Sequence, residues 1–95
     1  MKTKVKQKLD FTGHNIYIGL DVHKKTWGVS ILTDYLEHKT FIQPADPKAL
    51  VNYLHRTFPN ASYYSAYEAG FCGFWIDHIL NKLGVNNIVV NPADI

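Results

Sequence analysis

Two acidic residues stand where short apolar runs end, and their chemistry depends on whether those ends meet. Ile16-Tyr17-Ile18-Gly19-Leu20 leads into Asp21, and the tyrosine-rich run from Ser62 to Tyr67 leads into Glu68. β-Branched and aromatic residues of this kind fill strands. Carboxylates at the carboxyl ends of two neighbouring parallel strands lie close together, across a strand spacing of about 4.8 Å. Unpaired carboxylates held that close repel one another, a cost that a divalent cation removes. Mg2+ (or Mn2+) suits such a pair, because Mg2+ takes oxygen ligands, keeps several waters and is commonly held by one or two carboxylates plus substrate phosphates. Cations so placed activate a nucleophile and stabilise the leaving oxygen in phosphodiester cleavage. Gly19, on the same strand face as Asp21, is expected to leave space for a substrate backbone. His23 and Lys24, directly after Asp21, are candidates for substrate contact: His23 toward a scissile phosphate or a metal-bound water, Lys24 toward phosphate charge.

The surrounding elements have to bring the two acids together. Thr26 to Leu32 reads as a second strand and Leu36 to Ile42 as a third after a turn at Asp34, with links short enough for antiparallel hairpins. Gln43-Pro44 stops that run. Asp46 followed by Pro47 is a capping residue before a proline at the first helical position, and the helix should reach about Thr57. Leu50, Val51, Leu54 and Phe58 share one face of it. After the strand that ends at Glu68, Gly70 to Gly73 open a second helix. There Ile76, Ile79, Leu80 and Leu83 keep helical spacing and Gly84 is placed as a C-terminal cap. Asn87 to Val90 closes as a strand. Strands separated by a helix are normally parallel with a right-handed crossover, so the fourth and fifth should extend a mixed sheet beside the first. The expected class is α/β: a ribonuclease H-like, mixed five-stranded sheet of three antiparallel strands followed by β-α-β-α-β.

Ninety-five residues, 46% hydrophobic and 14% aromatic, suit one compact domain and exclude a disordered chain. The formal charge is +2, yet Lys2, Lys4, Lys6 and Lys8 supply four of the ten basic residues. The remainder therefore carries six basic residues against eight acidic ones. Residues 1–14 read as a flexible basic tail and 15–95 as the fold, whose body lacks a large basic face for gripping phosphates. Cys72 is the single cysteine and forms no internal disulfide, which is compatible with a reducing compartment. No run approaches the roughly 20 apolar residues needed to span a bilayer. A cytoplasmic protein with no membrane partner is expected.

The stretches Ile18-Gly19-Leu20-Asp21-Val22-His23-Lys24-Lys25-Thr26-Trp27, Tyr67-Glu68-Ala69-Gly70 and Val89-Val90-Asn91-Pro92-Ala93 resemble, in that order, the amino-terminal RuvC-like domain of DEDD-type bacterial insertion-sequence transposases. The resemblance spans about Ile16 to Ile95. It implies a DNA transposase or site-specific recombinase that cuts and rejoins element DNA with divalent metal, in which Asp21 and Glu68 are the first two of four catalytic acids. The other two acids and a serine-bearing domain would follow a helical insertion beyond Ile95, so this segment is expected to be a truncated and inactive part of the catalytic unit. The family implies DNA as partner, a homo-oligomer and, for some members, a guide RNA. Phe71-Cys72-Gly73 departs from the family's usual Pro-Thr-Gly-like turn.

Three other readings compete. A RuvC-like Holliday-junction nuclease shares the fold and the metal logic. An actin-like ATPase or sugar kinase also opens with Gly-x-Asp, but needs small residues after the Asp for phosphate approach, where this chain has His23-Lys24-Lys25. A non-catalytic interaction domain would bind no metal at the acids. His14, His23, His38, His55 and His78 show no metal-ligand pairing by spacing.

Overall fold

The structure, a computed structural model, describes residues 10–70 and 74–91. The Lys2-to-Lys8 run, Cys72 and the Pro92-Ala93 end of the third motif lie outside the described residues. Alternation of buried and exposed positions sets the first strand, β1 (Asn15–Val22), where Ile16, Ile18 and Leu20 point into the core. β2 (Thr26–Thr33) follows with Trp27, Val29 and Ile31 inward, and β3 (His38–Pro44) completes an antiparallel meander. After α1 (Pro47–Thr57), β4 (Ser62–Glu68) pairs in parallel with β1. After α2 (Trp75–Lys82), β5 (Asn86–Val90) pairs in parallel with β4. The sheet order is β3-β2-β1-β4-β5, a five-stranded mixed α/β sheet in which the first and fourth strands are neighbours, as the connection lengths require.

Local chemistry explains the helix boundaries. The Asp46 carboxylate accepts the backbone N–H of Lys48 at 2.9 Å, with Pro47 at the first helical position. A cap of this type contributes about 1 kcal/mol. Helix α2 ends in a paired closure, in which the Val85 N–H bonds the Leu80 carbonyl and the Gly84 N–H bonds the Asn81 carbonyl. Gly84 adopts φ 96°, the left-handed conformation this closure demands, while Leu80 and Val85 are buried together beneath it. Leu50, Leu54, Ile76 and Leu80 then close over Ile16, Trp27 and Ile31 in a single core, so both helices cover one face of the sheet. The opposite face is open, and Tyr17, Leu32, Ile42, Tyr64 and Ile88 stand exposed on it. Among the described residues no helix is long and apolar enough to cross a membrane.

Three local expectations change. β3 runs from His38 to Pro44 rather than from Leu36 to Ile42. Leu36, at φ 71°, belongs to a turn that Thr33 closes by exchanging hydrogen bonds with Glu37. Pro44 is tolerated because β3 is an edge strand. Helix α2 begins at Trp75, later than the glycine-flanked opening suggests. Residues 10–14, read from sequence as the end of the tail, dock on the fold: Phe11 packs edge-on against Phe58, and its N–H bonds the Pro59 carbonyl at 2.9 Å.

Asp34 ties the β2–β3 turn to the start of β1, accepting from His14 Nδ1 at 3.0 Å and from the Asn15 N–H at 2.9 Å. These two contacts, His14 first, hold its pKa below the ordinary 3.8. A depressed carboxylate contributes stability above the unfolded-state pKa of 3.8, and that contribution is lost as pH falls through the folded value. The Asp34 carboxyl carbon should therefore titrate below 3.8 by NMR, and His14→Ala should return the midpoint part of the way, since the Asn15 contact remains. A midpoint unmoved by His14→Ala would refute this origin of the shift.

Candidate functional site

The register of β1 against β4 decides what happens to the two acids. Leu20 is the partner of Tyr67, so Asp21 and Glu68 are the next residues along two adjacent parallel strands. In the pleat, Ile16, Ile18 and Leu20 face the core, which sends Asp21 to the open face. Tyr63, Ser65 and Tyr67 do the same for Glu68. Both carboxylates line one open cavity of about 900 Å3 at the carboxyl end of the central strands. Its floor is made of small residues, Gly19, Gly28 and Ala66, with Gly70 at one side and the exposed Ile42 at the other. Asp21 is not quite terminal, because β1 continues to Val22, which pairs with Trp27.

His23 lies across the same strand end. Its Nε2 is 3.2 Å from Asp21 Oδ2, and both side chains are well exposed, at 64% and 79%. An exposed pair of this kind contributes little to stability. The backbone N–H of His23 bonds the Thr26 carbonyl at 3.1 Å, fixing the hairpin that carries it. Lys24 is exposed in the same turn, and neither His23 nor Lys24 lines the cavity. Among the described residues no group of three or more His, Cys, Asp or Glu side chains is arranged to hold a metal ion. The donors present are thus two carboxylates sharing one cavity, a set that suits an oxygen-seeking cation whose remaining positions are filled by water and phosphate. The other histidines are dispersed. His14 pairs with Asp34, His38 with Ser30 at 2.8 Å, and His55 packs on Tyr63.

Gly19 lines the same cavity as Asp21, and a Cβ there would meet only Ser30 Cβ, at 3.9 Å, so the surface beside it is open. The glycine against the carboxylate is Gly28, its partner across the β1–β2 ladder. The sequence reading missed it because the relation is cross-strand, and the one available signal was a glycine inside an otherwise strand-like run.

Behind Glu68, a polar network with a buried centre at Ser65 and Asn87 fixes the end of β4. Ser65 Oγ donates to Asn87 Oδ1 at 2.6 Å, Asn87 Nδ2 donates to Asp77 Oδ1 at 2.9 Å, and Asn81 Nδ2 donates to the same Asp77 oxygen at 3.0 Å. The Tyr67 hydroxyl accepts the Asp77 N–H at 3.2 Å, and Asn81 Oδ1 accepts the Asn87 N–H at 3.1 Å. β4, β5 and α2 are thereby joined by groups whose hydrogen bonds are satisfied internally.

Comparison of the sequence with protein-family models and with curated proteins yields no match.

Asn87→Ala removes the centre of this network and leaves Ser65 and Asp77 without their shared partner. It should cost about 1–3 kcal/mol in urea unfolding. A loss within experimental error would mean that the network contributes no net stability.

Proposed function

We propose that the chain is the amino-terminal part of a ribonuclease H-like catalytic domain from a DNA transposase or site-specific recombinase of the DEDD insertion-sequence type. The observation that carries the reading is the arrival of Asp21 and Glu68 in one cavity from neighbouring parallel strands. The strand order β3-β2-β1-β4-β5 supports the fold assignment, and the order of the three sequence motifs supports the family.

In this reading Asp21 and Glu68 hold Mg2+, or Mn2+ in its place, and the cation supplies charge stabilisation at the phosphodiester being cut. The residues of the chain act around it. His23 Nε2 lies 3.2 Å from the Asp21 carboxylate, and Glu68 is carried by a strand end anchored through Tyr67 to α2. The small-residue floor of the cavity lets a sugar-phosphate backbone approach the carboxylates closely. His23 and Lys24, on the turn beside Asp21 and outside the cavity lining, would meet that backbone where it leaves the cavity on the hairpin side. By the resemblance two further acids complete the metal site, so Asp21 and Glu68 by themselves should not support cleavage. DNA is the partner, and a homo-oligomer belongs to the same proposal, supported by the apolar side chains exposed on the open sheet face.

Mn2+ titrated into the protein should broaden the NMR signals of Asp21 and Glu68 before all others. Asp21→Asn should weaken Mn2+ binding by more than about a hundredfold, beyond the range that loss of an outer-shell partner produces. In the complete recombinase the same substitution should abolish DNA cleavage. Undiminished cleavage by Asp21→Asn, or Mn2+ binding that ignores both acids, would overturn the assignment.

A further inference from the structure

We infer that Gly28 is a positioning residue for Asp21, the clearance that allows the carboxylate to lean over β2 into the cavity. The metal-affinity part of the inference rests on the reading of Asp21 as a cation ligand; the steric part does not.

Residues directly opposite in an antiparallel pair ordinarily hold their Cβ atoms about 4.5–5.5 Å apart. Asp21 and Gly28 are such a pair, yet a Cβ built on Gly28 would lie 3.4 Å from Asp21 Cβ and 4.0 Å from Asp21 Oδ2. The Asp21 side chain therefore lies in van der Waals range of the point from which a side chain of residue 28 would extend. Backbone conformation does not call for glycine here, because the glycines at positive φ are Gly13 and Gly84. A glycine inside a strand forgoes packing and weakens it, and often marks a place of close approach; here the group that approaches is the Asp21 side chain.

Clearance is needed at this position in particular. In register, Gly28 sits between Asp21 on β1 and Ile42 on β3, making it the low point between two larger side chains that line the same cavity. On its other side Asp21 Oδ2 is met by His23 Nε2 at 3.2 Å. The carboxylate thus has the exposed His23 ring beside it at the hairpin end and open space over β2. A methyl group at position 28 would make an ordinary contact with Asp21 Cβ. A γ atom, reaching about 1.5 Å further, would enter the space that the carboxylate fills. Contrast Gly19, where an added Cβ would meet nothing closer than 3.9 Å.

The test uses the whole chain with Mn2+ as the probe, comparing Gly28→Ala, Gly28→Cys and Gly28→Val with the parent protein, and Asp21→Asn as reference. Valine is a strong strand former, so folding should persist; Gly28→Cys, with one γ atom, serves if the valine variant does not fold. Affinity for Mn2+ should stay within about twofold in Gly28→Ala and fall by about tenfold or more in Gly28→Val, with Gly28→Cys between. Thermal unfolding should not follow that order. In metal-free protein, three-bond couplings should show that the Asp21 side chain changes rotamer in Gly28→Val and keeps it in Gly28→Ala. An unchanged Asp21 rotamer in both the valine and cysteine variants overturns the inference, and so does full Mn2+ affinity in a folded Gly28→Val when Asp21→Asn abolishes binding. If the parent protein takes up no Mn2+, the cation reading of the acids fails, and the metal-free rotamer measurement alone decides the role of Gly28.

Discussion

Parallel pairing of β1 with β4 is the constraint from which the rest of the molecule follows. Parallel neighbours cannot be joined by a hairpin, so the chain has to cross the sheet, and α1 is the crossing. Once α1 lies on one face, its apolar stripe of Leu50, Val51 and Leu54 has to be matched by the inward residues of β1 and β2, and α2 repeats the arrangement for β5. The same pairing, in the register Leu20 to Tyr67, places Asp21 beside Glu68. A slip of one residue would send one of the two acids to the core face. Stability and the candidate chemistry therefore depend on a single alignment.

The two faces of the sheet carry different kinds of interaction. The covered face is a packed apolar core that includes a polar network, Ser65–Asn87–Asp77–Asn81, joining α2 to β4 and β5. Groups so enclosed are costly when unpaired, which makes the network a device for a unique arrangement more than a source of net energy. The open face carries the acids, the small-residue floor and exposed side chains such as Ile42, at 74%, and Ile88, at 63%. Rigidity behind the carboxylates and access in front of them come from opposite sides of one sheet.

Much of this was legible in the sequence. The Asp46-Pro47 start of α1, the inward set of the two helices, the Gly84 closure and the strands ending near Asp21 and Glu68 are local signals, each fixed by a few residues and a period of 2 or 3.6. The errors arose where tertiary contact outweighed local pattern. Leu36 is apolar and reads as strand, but the Thr33–Glu37 turn claims it. Phe11 sits in a polar, basic neighbourhood, but the ring of Phe58 gives it somewhere to pack.

The sequence by itself determined which segments become strands and helices, and that two carboxylates end two of those strands, because periodicity, caps and turns act over a few residues. Only the tertiary structure decided that the Asp21 side chain lies within contact distance of the Gly28 position across the β1–β2 ladder, and that His23 turns back to within 3.2 Å of its carboxylate. Those relations depend on the distance between strands at one point of a twisted sheet. That distance is set by register and packing across the whole domain, and no window of neighbouring residues records it.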